Sequence, residues 1–112
     1  MTYRIDISSV AKAEMDAAFL SFSQYVTVNR AQTWYQGLID AIASLQEMPQ
    51  RCPLAREDAF FSPEIRQLLY KQGKQTYRIL FTVVEDRPIL TVRILHVRHA
   101  AQKTLGEPEV ED

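Results

Sequence analysis

The sequence has 112 residues, 46% hydrophobic and 24% charged, with a net charge of -1 and one cysteine. That length holds one core and not two, and a lone Cys52 excludes an internal disulfide and the multi-cysteine zinc sites. No apolar run approaches the ~20 residues needed to span a bilayer, so the composition is that of a globular domain of the reducing cytoplasm, and nothing in it calls for a metal or an organic cofactor.

Tyr3 to Ile7 (YRIDI) alternates apolar and polar residues, as a short half-buried strand does. Ser8 and Ser9 follow, and either hydroxyl can cap a helix by accepting from a free backbone N–H. Beyond Ala11, the residues Met15, Ala18, Phe19, Phe22 and Val26 recur at spacings of three and four and form one helix face. The pattern restarts near Thr27 to Asn29, where Asn29 and Gln32 have the spacing of a capping box. Trp34, Tyr35, Leu38, Ile42 and Leu45 carry a second helix to Gln46 or Glu47, and Met48 and Pro49 end it. Two helices joined by about three residues fold back on each other. Trp34 and Tyr35 then serve core or partner-helix packing.

Pro49 to Pro63 (PQRCPLAREDAFFSP) contains three prolines and is expected to be an irregular surface loop, with Phe60 and Phe61 anchoring it to the core. Cys52 within it reads as a structural thiol. Ile65 to Tyr70 is a third apolar segment, a strand, and Lys71 to Lys74 a polar turn. Two runs rich in β-branched and aromatic residues follow, Tyr77 to Val84 and Ile89 to Val97, separated by Glu85, Asp86, Arg87 and Pro88. They predict a β-hairpin. The order is therefore β-α-α-β-β-β: an α+β domain over residues 1–105, with a helical hairpin on one face of a small, mainly antiparallel sheet. The acidic tail, residues 106–112, is expected to be disordered.

A four-residue loop would pair Ile79 with Ile94, Phe81 with Val92 and Val83 with Leu90, an apolar face that meets the helices. Tyr77 and His96 would close its end. The opposite face would carry Arg78, Leu80, Arg93, Leu95, Val97 and His99, unless a bulge exchanges the faces beyond it. Cations mixed with exposed aliphatics suit either an amphipathic peptide or a nucleic-acid strand, whereas a merely solvated face would pair Arg78 with Glu64 or Glu85. The charge is uneven. Residues 1–48 carry three basic and five acidic side chains, net -2, and residues 49–105 carry ten basic and five acidic, net +5.

The ordered set ISSVAKAEMDAAF, LQEMPQRCPLA, IRQLLY and YRILFTVVEDRPILTVRILHVRHA resembles toxins of the ParE/RelE superfamily of bacterial type II toxin-antitoxin systems, over roughly residues 3 to 102. The resemblance implies a small cytoplasmic growth inhibitor neutralised by an antitoxin from the adjacent gene, in a complex that can grow to higher order. The ParE branch is associated with binding and poisoning DNA gyrase, and the RelE branch with cleaving messenger RNA on the ribosome. A degenerate member would bind only its antitoxin. Carried over residue by residue, Arg78 and His99 are the catalytic candidates if the chain is a nuclease. Arg66, Arg78, Arg93, Arg98 and His99 are the target-binding candidates. Trp34, Tyr35, Leu80, Leu95 and Val97 are the antitoxin-binding candidates. No tyrosine follows Arg98, and the second lysine of the RelE pattern is missing, which favours the ParE-like branch.

Overall fold

The protein's structure, a computed structural model, describes residues 2–86 and 88–106. The short first strand, β1 (Arg4–Ile7), runs directly into helix α1 (Ser9–Ser23). Ser8 makes that junction: its backbone is extended and its hydroxyl accepts the Ala11 N–H at 3.0 Å, satisfying one of the free donors at the helix start. Helix α2 (Val28–Ala43) is capped in the same way by Thr27, whose hydroxyl accepts from Arg30 N–H, so the cap lies two residues before the expected Asn29 and, with Arg30 at the third position, is not a capping box. The helix tightens into a 3-10 turn (Ser44–Gln46) before Pro49.

Three strands complete the sheet: β2 (Arg66–Gln72), β3 (Gln75–Val84) and β4 (Thr91–His99). The sheet order is β1-β4-β3-β2, with β1 parallel to β4 and the other pairs antiparallel. Gln72 pairs with Gln75, leaving Gly73 and Lys74 as a two-residue turn. Gly73 has a φ of 63°, which only glycine adopts without a steric penalty.

The main core lies between the helical hairpin and the sheet. Met15, Trp34, Leu38, Ile42 and Leu45 from the helical side close on Ile79, Phe81, Val92, Ile94 and Val97. Each such large side chain contributes ~1.5–3 kcal/mol of transfer free energy. The aromatic pairs Phe19–Tyr35, Phe22–Trp34 and Trp34–Tyr77, with ring centroids 5.2–5.5 Å apart, fix the two helices on each other and on β3. A smaller cluster, Ala55, Ile65 and Leu80 with Leu95 and Leu105, occupies the opposite face of the sheet.

The segment between α2 and β2 crosses that opposite face, as a 3-10 turn (Pro49–Arg51), a bridge from Leu54 to Arg66 and a second 3-10 turn (Arg56–Phe60). Phe60 and Phe61 therefore do not anchor the loop in the main core. They are 44% and 48% exposed, and Phe61 lies beside Leu80 and Leu95 outside the main core. Cys52 is buried in the main core, and burial pushes its thiol pKa up against the opposing charges of Arg51 and Arg66, as suits a structural thiol. Among the described residues no helix is long and apolar enough to cross a membrane. The tail after Gly106 lies outside the described residues.

Candidate functional site

The β3–β4 pairing differs from the simple hairpin register. β3 ends at Val84 and β4 begins at Thr91, so the connection is longer than four residues, and Phe81 rather than Ile79 faces Ile94. Between Leu80 and Phe81 the register then shifts, and Leu95 is the extra residue of a β-bulge. Beyond it Ile79 pairs with Val97, Arg78 with Arg98 and Tyr77 with His99. The bulge thus exchanges the faces of the last residues of β4. Val97 is 3% exposed and belongs to the main core, and His99 lies edge-on to Tyr77 at 5.2 Å. Neither shares a face with Arg78, contrary to the unbulged register. His96, expected beside Tyr77, opposes Leu80 instead.

Arg78 is 3% exposed and Glu57 1% exposed, and the two form a bidentate ion pair. The Arg78 Nε donates to Gln67 Oε1 at 3.0 Å. Glu57 also accepts the Leu105 N–H at 3.2 Å, so one carboxylate ties the second 3-10 turn, β3 and the C-terminal segment together. Burial pushes the Glu57 carboxyl pKa up. Hydrogen bonds from Arg78, its own backbone N–H and Leu105 N–H, together with the Arg78 charge, more than reverse this and lower it from 4.5 to about 2. The acid that holds Arg78 is Glu57 and not Glu64 or Glu85.

Beside this pair lies an apolar groove of about 340 Å³, walled by Val10, Phe61, Ile65, Leu80, Leu95 and Leu105, with Ser8, Glu57 and His96 as its polar members. His96 Nδ1 lies 3.1 Å from Glu14 Oε1, and the same oxygen accepts the Val97 N–H at 3.1 Å. Glu14 on α1 therefore pins the bulge. Of the apolar candidates, Leu95 lines the groove and Leu80 forms its buried floor. Trp34, at 1% exposure, is enclosed among Phe22, Tyr70 and Tyr77, so in this conformation no partner reaches it; Tyr35 is half-buried against Phe19.

The cations do not converge. Arg66 donates to the Cys52 carbonyl at 2.7 Å, Arg93 lies 3.5 Å from Asp6, and Arg98 donates to the Lys103 carbonyl at 2.9 Å. His99 is held on both sides: Nδ1 accepts the Ala101 N–H at 3.0 Å, and Nε2 lies 2.6 Å from Gln75 Oε1. A backbone N–H can only donate, so Nε2 carries the ring hydrogen and donates it to Gln75. Among the described residues no group of three His, Cys, Asp or Glu side chains could hold a metal ion. Glu57, Glu14 and Val10 shape this face yet carry no signal in the sequence that marks them. Only the interval of three between Arg93 and His96 betrays the bulge.

Comparison with known proteins agrees with this architecture. A search of curated protein sequences returns no match. Among solved structures the chain is similar to one described as the chromosomal ParDE TA system from P. aeruginosa, with a TM-score of 0.67 and 16% identity over 88% of this chain and 96% of that one. At that identity the likeness is one of fold. The family model described as the ParE toxin of type II toxin-antitoxin system, parDE, matches residues 5–104, nearly the whole of the sequence just described, and the chain therefore belongs to the ParE toxin family.

Proposed function

We propose that this toxin stops growth in the cytoplasm by binding DNA gyrase rather than by cutting RNA, and that an antitoxin encoded by the adjacent gene neutralises it by laying an amphipathic segment in the groove of Val10, Leu80 and Leu95. The observation that carries the choice of mechanism is the separation of Arg78 from His99. Ribonucleolytic cleavage needs a base at the 2′-hydroxyl and a cation at the phosphate, placed around one substrate. Here Arg78 and His99 lie on opposite faces of the sheet, Arg78 is buried against Glu57, and neither nitrogen of His99 is a free acceptor. Arg66, Arg93 and Arg98 are the cations this reading assigns to the target. The antitoxin half rests on the family, on the apolar groove and on the net +5 of residues 49–105, which suits an acidic amphipathic partner.

His99→Asn separates the mechanisms without disturbing the fold, because the Asn carbonyl can still accept the Ala101 N–H while no imidazole remains to move a proton. Cells producing this variant are expected to stop growing as with the unaltered chain. Loss of toxicity with an unchanged melting temperature would count for the nuclease.

A further inference from the structure

The polar groups of the groove are spoken for, with one exception. The Ser8 hydroxyl accepts from Ala11 N–H and donates to the Leu95 carbonyl at 3.1 Å. Both Glu57 oxygens bind Arg78, and one of them also accepts Leu105 N–H. His96 is different. Its Nδ1 is engaged by Glu14, while its Nε2 has no hydrogen-bond partner among the described residues. An ionised carboxylate can only accept, so Nδ1 carries the hydrogen, and the ring in its neutral form presents Nε2 as an acceptor. The ring is also aimed. Glu14 holds Nδ1 and the Val97 N–H with the same oxygen, and the bulge sets His96 and Leu95 side by side on the groove wall. An apolar groove with one oriented acceptor can accept many aliphatic side chains but discriminates at a single point.

We infer that His96 is a specificity-determining residue of this groove: its Nε2 accepts a hydrogen bond from one donor side chain, a hydroxyl or an amide, set within the otherwise apolar stripe of the acidic amphipathic segment that docks there. The inference rests on the docking reading above and adds what the partner must carry. A segment that placed an acceptor at this point would set it against the Nε2 lone pair and leave both unsatisfied, and a segment with only apolar groups there would leave Nε2 dry and unpaired. Either mismatch weakens the complex, which lets the toxin distinguish its own antitoxin from others of similar apolar pattern.

The test uses the full chain titrated calorimetrically with the purified product of the adjacent gene. His96→Asn places an amide N–H where Nδ1–H stands and keeps the tie to Glu14, but offers nothing at the Nε2 position. His96→Gln places an amide oxygen near that position. His96→Asn is expected to weaken binding about five- to a hundredfold, with its melting temperature close to that of the parent, while His96→Gln retains most of the affinity. Parental affinity in His96→Asn, or equal losses in both variants, would overturn the assignment. Val10→Glu, at an exposed groove position in the first turn of α1, tests the docking reading itself. If Val10→Glu weakens binding and His96→Asn does not, the His96 role alone is wrong. If Val10→Glu binds like the parent, the partner docks elsewhere and both readings fall.

Discussion

Replacing Glu57 with Gln is expected to cost about 3–5 kcal/mol of folding stability, the loss that follows when one partner of a buried ion pair is removed. For a domain of this size the total is about 5–15 kcal/mol, so this one change would leave a substantial unfolded fraction. Arg78 and Glu57 are both almost fully buried, and among the described residues the guanidinium has only Gln67 as a further side-chain partner, so the neutral amide leaves a cation without a counter-charge there. The same substitution weakens the tie to Leu105 N–H. Urea unfolding at neutral pH measures the loss. The double variant Glu57→Leu with Arg78→Met is expected to recover most of it, since replacing a whole buried pair by apolar residues is close to neutral. For the same reason Arg78→Ala is a poor probe of catalysis, because it strands the carboxylate and threatens the fold.

Glu57 also sets an acid limit. Its pKa in the folded chain, about 2, lies below its ordinary 4.5, so the unfolded chain takes up the proton first as the pH falls. The resulting stabilisation, about 3 kcal/mol, is complete above pH 4.5 and disappears as the pH drops through 2. Stability measured across that window should decline in the parent and decline much less in Glu57→Gln.

Gly37→Ala should destabilise the domain by about 1–3 kcal/mol even though alanine is the better helix former. A methyl group at Gly37 would lie 2.2 Å from the Tyr70 hydroxyl, which donates to the Trp34 carbonyl at 2.8 Å. Helix α2 and β2 approach this closely because Gly37 has no side chain. Tyr70 would have to give up the hydrogen bond and shift a ring that packs on Trp34. With Tyr70→Phe in place the nearest ring carbon is 3.1 Å away, a contact relieved by a few tenths of an ångström. The penalty of Gly37→Ala in that background should fall close to zero. An equal penalty in both backgrounds, by thermal unfolding, would show that the hydroxyl is not the obstacle.

These energetics also explain what could be read from the chain and what could not. The helical hairpin, the order of elements and the buried set Ile79, Phe81, Val92 and Ile94 follow from periods of 3.6 and 2, which burial imposes directly. The register beyond Leu95 does not, because strict alternation has no term for an inserted residue. The cue was present in the interval of three from Arg93 to His96, followed by two to Arg98, which breaks the alternation where the bulge lies. Without the bulge, Val97 and His99 fall on the face of Arg78, where the two cleavage candidates would share one surface. The Glu57–Arg78 pair was out of reach for another reason. It depends on how the segment after α2 crosses the sheet, and that path is set by tertiary packing of Ala55, Ile65 and Leu105 on Leu80 rather than by local pattern.

The most direct test of the mechanism adds the purified toxin, in parallel, to DNA gyrase supercoiling a relaxed plasmid and to ribosomes translating a defined message. A gyrase-binding toxin inhibits supercoiling and leaves the message intact. Cut message with supercoiling untouched would contradict the account and return Arg78 and His99 to the centre of a ribonuclease.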